Sequence, residues 1–135
     1  MDIELTSGVL KETVKIVKDL GVKLIISYHD LQATPQRDDL RKLMRRELRA
    51  GADICKIVGT AVNQLDSLTY LRFLQENSSI PLVCFGMGEA GIMSRIFSPL
   101  LGGAFTYASS GAGSESAAGQ LTIADMKTIY RILGV

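Results

Sequence analysis

Lys56 lies in Asp53-Ile54-Cys55-Lys56-Ile57-Val58, an apolar run in which a cation is out of place. Burying an ammonium among isoleucine and valine is costly, because desolvation penalises the charged form and favours the neutral amine. A neutral amine is what attack on a ketone requires, so the chemistry suggested is nucleophilic. The alternative is a lysine that snorkels from a strand end into solvent or pairs with a buried carboxylate. His29, the one histidine of the chain, closes a second apolar run, Lys23 to His29, just before Asp30 and the turn-like Ala33-Thr34-Pro35. An imidazole exchanges protons near neutral pH and suits general acid-base work. A lone strand-end histidine also serves simply as a hydrogen-bonded structural residue.

For the two to act together, the elements between them must be of the right kind. Short apolar runs alternate with longer amphipathic stretches along the whole chain, as repeated βα units around a parallel sheet do. The spacing predicts strands over Asp2 to Leu5, Lys23 to His29, Asp53 to Val58, Pro81 to Met87 and Ala104 to Ala108. It predicts helices from Ser7, read as an N-cap, to Leu20, from Gln36 to Ala50, from Val62 to Glu76, from Gly91 to Pro99 and from Ile123 to Leu133. One βα unit separates His29 from Lys56, so adjacent parallel strands bring the pair to neighbouring strand ends, where α/β folds gather their ligands. Alternation places Ile25, Ser27 and His29 on one face of their strand, and Ile54, Lys56 and Val58 on one face of the next.

Further along, Phe85 and Met87 share a face of the fourth strand, as pocket wall or as core packing. Gly86-Met87-Gly88 lacks the GxGxxG spacing and follows the fourth strand, so it is not a dinucleotide fingerprint. Arg95, in a short and otherwise apolar helix, is either a solvated residue or a bidentate anion ligand. The glycine- and serine-rich stretch from Ser109 to Gly119 is the long loop of the chain and a candidate lid.

The 135 residues fit one domain, and 47% hydrophobic with 21% charged residues is an ordinary globular composition. A net charge of +1 provides no broad field for nucleic acid or an anionic membrane, so a small anion must be held by local cations. No stretch approaches the roughly 18 apolar residues of a membrane span, and Met1-Asp2-Ile3-Glu4-Leu5 is not a signal peptide. Cys55 and Cys84 form no CxxC pair and read as buried small hydrophobes in a reducing, cytoplasmic setting. One histidine and two separated cysteines make no metal cluster.

Taken in order, several segments resemble the type I 3-dehydroquinate dehydratases. They are Asp2-Ile3-Glu4-Leu5; Ser27-Tyr28-His29-Asp30 with Thr34-Pro35; Gly51-Ala52-Asp53-Ile54 with Lys56-Ile57; Met87-Gly88 with Gly91 and Ser94-Arg95; and Ser116-Ala117-Ala118-Gly119-Gln120. The resemblance implies an α/β fold, a parallel (β/α) barrel of TIM type. It implies that Lys56 is the Schiff-base lysine and His29 the general acid and base. It further implies that Arg95 binds the substrate carboxylate, that Ser116 and Gln120 are polar contacts from a closing loop, and that Met87 and Tyr107 line the pocket. The implied reaction converts 3-dehydroquinate to 3-dehydroshikimate and water in the shikimate pathway, with neither metal nor diffusible cofactor.

Two departures accompany the resemblance. Ala118 stands where the closing motif usually carries proline. A complete (β/α)₈ barrel needs about 200 to 250 residues, so only the last five of its eight units are expected here. Missing with the first three are the acidic and arginine residues that help bind substrate hydroxyls and orient the histidine. An isolated piece leaves two sheet edges and an inner face uncovered, which implies a homo-oligomer or a partner chain that supplies the missing strands. Rival readings are a catalytically incomplete homologue that binds a shikimate-like carboxylate or serves as a structural fragment, and another class I Schiff-base aldolase.

Overall fold

The computed structural model describes residues 1–111 and 113–135. Four strands, β1 (Asp2–Glu4), β2 (Ile25–His29), β3 (Ile54–Thr60) and β4 (Leu82–Met87), form one sheet in sequence order. All neighbours are parallel, with Ser27 opposite Lys56 and Lys56 opposite Val83. Between them run α1 (Leu10–Asp19), α2 (Arg37–Ala50) and α3 (Gln64–Glu76). After β4 come a 3₁₀ turn (Glu89–Gly91), α4 (Ile92–Phe97), a second 3₁₀ turn (Ser98–Leu101) and, at the end, α5 (Ile123–Leu133). No helix is long and apolar enough to cross a membrane.

The helices pack on one face of the sheet, and that is where most of the core lies. Ile26, Cys55, Ile57, Leu82 and Cys84 point towards Leu40 and Met44 of α2 and Phe73 and Leu74 of α3, all buried. Each fully buried leucine, isoleucine or phenylalanine contributes roughly 1.5–3 kcal/mol. The cysteines are free and buried, as the sequence suggested. The other face carries a smaller cluster of Val58, Val83 and Phe85, flanked by Ile54, Met87, Phe105 and Tyr107.

Local chemistry sets the helix limits. Asn63 and Asp66 form a reciprocal capping box that starts α3 two residues later than periodicity suggests, and Thr122 with Asp125 forms another that starts α5 at Ile123, as expected. Gly51 takes a left-handed conformation that ends α2. Ser7 does not cap α1: its carbonyl accepts from Leu10 in a preceding turn, and the helix begins at Leu10.

The expected fifth strand, Ala104 to Ala108, does not form a ladder. Ala104 donates to the Leu82 carbonyl beside β4, and a single bridge pairs Ser109 with Thr122. A strand at this edge has a partner on one side only, and edge pairing alone holds a short segment weakly. The segment still follows β4 and carries Phe105 and Tyr107 onto the inner face.

Candidate active site

Parallel register stacks the inner-face residues in rows. Glu4, Ser27, Lys56 and Val83 occupy one row, while His29, Val58 and Phe85 occupy the next towards the C-terminal ends. The sheet thus presents a cation, an imidazole and two carboxylates on one surface. A cavity of about 290 Å³ opens above it, lined among others by His29, Lys56, Met87, Arg95, Tyr107, Ser116 and Gln120. Every site residue singled out in the sequence borders this one space.

The Lys56 side chain is 12% exposed, and its Nζ lies 2.8 Å from Asp2 Oδ2. The same amine stands 4.7 Å from the centre of the Tyr107 ring, a cation–π distance. Lys56 is therefore a strand-embedded amine paired with a carboxylate, but Asp2 is exposed and is not the buried partner of the alternative reading. The pair orients the amine from β1 while the aromatic ring shields it.

His29 is held by a residue to which the sequence reading gave no role. Glu4 Oε2 lies 2.8 Å from His29 Nδ1, and Glu4 Oε1 accepts the His29 backbone N–H at 3.0 Å. Ser27 Oγ donates to the same carboxylate at 3.2 Å. A carboxylate only accepts, so Nδ1 is the donor in this pair and Nε2 is the nitrogen left for proton exchange. The expectation that the carboxylate orienting the histidine is absent is thus corrected: Glu4 of this chain's own first strand does that work.

Arg95 is not a solvated helix residue. It is 2% exposed, its guanidinium stacks 4.4 Å from the centre of the Phe85 ring, and Nη2 donates to the Ala118 carbonyl at 3.4 Å. Nε is buried without a partner among the described residues, and burial pulls the side chain's pKa down to about 10. A planar cation held against an aromatic wall with an unused donor is suited to a carboxylate. Ser94 braces the helix that carries it: its Oγ accepts the Gly86 N–H at 2.9 Å and donates to the Gly91 carbonyl at 2.6 Å. That close approach requires glycine at position 91, where a Cβ would fall on the Gly86 carbonyl.

The loop closes from the other side. Gly88 donates to the Ala118 carbonyl at 2.9 Å, and Gly119 sits at φ +73° so close to Gly88 that a side chain is excluded. Gln120 Oε1 accepts from the Ser116 backbone N–H at 2.7 Å and from Ser116 Oγ at 3.2 Å. Of the expected lid, Ser109 to Gly119, Ala112 lies outside the described residues.

Asp2 and Glu4 are the two carboxylates in contact with Lys56 and His29 that sequence reasoning left without a role. Their signal was present: two acidic residues spaced i, i+2 in a strand project to one face, the face of the sheet that bears His29 and Lys56. Ser27, whose Oγ bonds Glu4, belongs to the same overlooked set.

The whole chain, residues 1–135, matches the family model described as type I 3-dehydroquinase. A 3-dehydroquinate dehydratase of Dehalococcoides mccartyi is 39% identical over 131 residues, covering 97% of this chain and 59% of the relative. One of Pyrococcus abyssi is 34% identical over 134 residues, covering 99% and 60%. Among solved structures, the 3-dehydroquinate dehydratase of Geobacillus kaustophilus superposes with a TM-score of 0.88 at 31% identity, over 98% of this chain and 52% of that one. The type I enzyme of Clostridium difficile with covalent modified comenic acid gives 0.84 at 28% identity, over 98% and 53%. The chain spans between half and three-fifths of the length of these proteins.

Proposed function

Because the chain belongs to the type I 3-dehydroquinase family, we propose that it acts as a hydro-lyase on 3-dehydroquinate, through a Schiff base on Lys56. The observation that carries this reading is the convergence of the Lys56 amine, the Glu4-held His29 and the buried Arg95 on one cavity. Lys56 Nζ attacks the ketone carbon and water leaves, giving an iminium. The iminium withdraws electrons and acidifies the adjacent C–H bond, whose proton His29 removes to give an enamine. The enamine expels the hydroxyl, His29 returns the proton to it, and water departs. Hydrolysis of the remaining iminium frees 3-dehydroshikimate and restores the amine. Arg95 anchors the substrate carboxylate, Ser116 and Gln120 contact its hydroxyls, and Met87 and Tyr107 wall the pocket.

The setting proposed is cytoplasmic, and the assembly is one in which a second copy or a partner chain covers the sheet. What supports the latter is the pair of sheet edges at β1 and β4 and the cavity on the inner face between them. A monodisperse monomer that turns over at full rate would rule the assembly out.

The deciding experiment is borohydride trapping with 3-dehydroquinate, read by mass spectrometry, alongside a turnover assay. The reading requires a covalent adduct on Lys56 and loss of dehydration in Lys56→Ala. Continued dehydration by that variant would overturn the assignment. Absence of any adduct at saturating substrate would instead favour the catalytically incomplete homologue that binds a shikimate-like carboxylate.

A further inference from the structure

One ionisable group of the core lies directly behind Lys56. Glu47 of α2 is 0% exposed, and its Oε2 accepts the backbone N–H of Lys56 at 3.1 Å. Its Oε1 has no hydrogen-bond partner among the described residues, and no cationic side chain among them pairs with the group. The titratable side chains around it are Cys55 of β3 and Cys84 of β4, with Asp2 and Glu4 of β1 across the sheet. Tyr70 of α3 is buried in the same core, and Tyr28 of β2 packs at its margin. None of these offers Glu47 a positive charge.

We propose that Glu47 is a positioning residue for Lys56: from the helix side its carboxyl holds the Lys56 backbone, and its charge state is felt at the amine on the inner face. The inference rests on the Schiff-base role of Lys56.

Geometry supplies the lever. A central strand passes between helix and cavity, with the Lys56 side chain on one face and Glu47 on the other. The carboxyl therefore grips the one residue whose side chain must meet a ketone at a defined angle. Burial without a cation also makes ionisation expensive, and desolvation pushes this carboxyl up to about 8. Below that point the group is neutral and only positions the strand. Above it a negative charge appears behind Lys56, within the dry core, where charges interact more strongly than in water. A charge there acts on the attacking amine, and its removal should raise the reactivity of that amine.

The test is competitive acetylation of the full chain with acetic anhydride between pH 6 and 10, reading Lys56 by peptide mass spectrometry in wild type and Glu47→Gln. The amide keeps an acceptor for the Lys56 N–H and cannot ionise. Equal labelling at pH 6.5, with Lys56 of Glu47→Gln labelled about threefold faster or more at pH 9, is the result expected. Superimposable profiles would overturn the electrostatic link. Glu47→Leu tests the positioning: it should slow adduct formation at pH 6.5 relative to Glu47→Gln, and equal rates in the two would overturn that half. Acetylation needs no substrate. A pH-dependent difference in labelling without any 3-dehydroquinate adduct would therefore defeat the Schiff-base reading while leaving the Glu47 coupling intact.

Discussion

Glu4 grips His29 at two points, its Oε1 on the backbone N–H at 3.0 Å and its Oε2 on Nδ1 at 2.8 Å. The double contact fixes both the strand end and the ring, so the imidazole enters the cavity in one orientation and one tautomer. Replacing Glu4 by Gln keeps an acceptor for the N–H but removes the charged partner of Nδ1. The variant should lose about 10- to 100-fold in kcat with KM little changed. Steady-state kinetics decide: an effect confined to KM would mean that Glu4 binds substrate instead.

The ion pair between Lys56 and Asp2 bears on the first covalent step. Asp2 holds Nζ at 2.8 Å, and the amine must leave that contact to reach a ketone carbon. Asp2→Asn should therefore speed borohydride trapping at a fixed pH near 7.5 by about threefold or more. Slower trapping would show that Asp2 presents the amine to the ketone instead of holding it back.

Arg95 is packed against Phe85 and braced through Ser94, so its guanidinium is a fixed fork and not a mobile charge. Arg95→Lys keeps the charge but loses the stacking plane and the paired donors. KM for 3-dehydroquinate should rise about tenfold to a hundredfold, with a smaller change in kcat. The same variant measured with a substrate analogue lacking the carboxylate should match wild type, which separates lost anchoring from a disturbed pocket.

Much of this was legible because the chain alternates cleanly between strand and helix periods. Lys56 and His29 were readable as anomalies in apolar strands, and the one βα unit between them put the pair at neighbouring strand ends, while their shared surface follows from the register of β2 on β3. Asp2 and Glu4 escaped because a terminal strand with two acids also reads as a solvated edge, and only pairing with β2 shows what they face. The run from Ala104 to Ala108 has strand composition, but a ladder depends on having a neighbour, which composition does not encode. Arg95 was ambiguous because burial of a helix residue is decided by what packs over it, here Phe85 and the loop carbonyl of Ala118. Glu47 was hidden by the charge of its helix. It completes the spacing Leu40, Leu43, Met44, Glu47, the buried stripe of α2, so periodicity marked it where composition did not.

That buried stripe position carries a consequence for stability. Desolvation raises the Glu47 carboxyl from an ordinary 4.5 to about 8, so the folded chain holds this proton more tightly than the unfolded chain does. Between those values the folded state binds more protons, and the contribution of this group to stability falls as pH rises, reaching its full cost above about 8. At about 1.4 kcal/mol per pH unit, the whole interval amounts to about 3 to 5 kcal/mol. Glu47→Gln removes the titration without changing the shape of the side chain. Its stability by urea unfolding should match wild type near pH 4.5 and exceed it increasingly towards pH 8.5. A constant difference between the two proteins across that range would mean that Glu47 is already ionised in the folded core at the lower end.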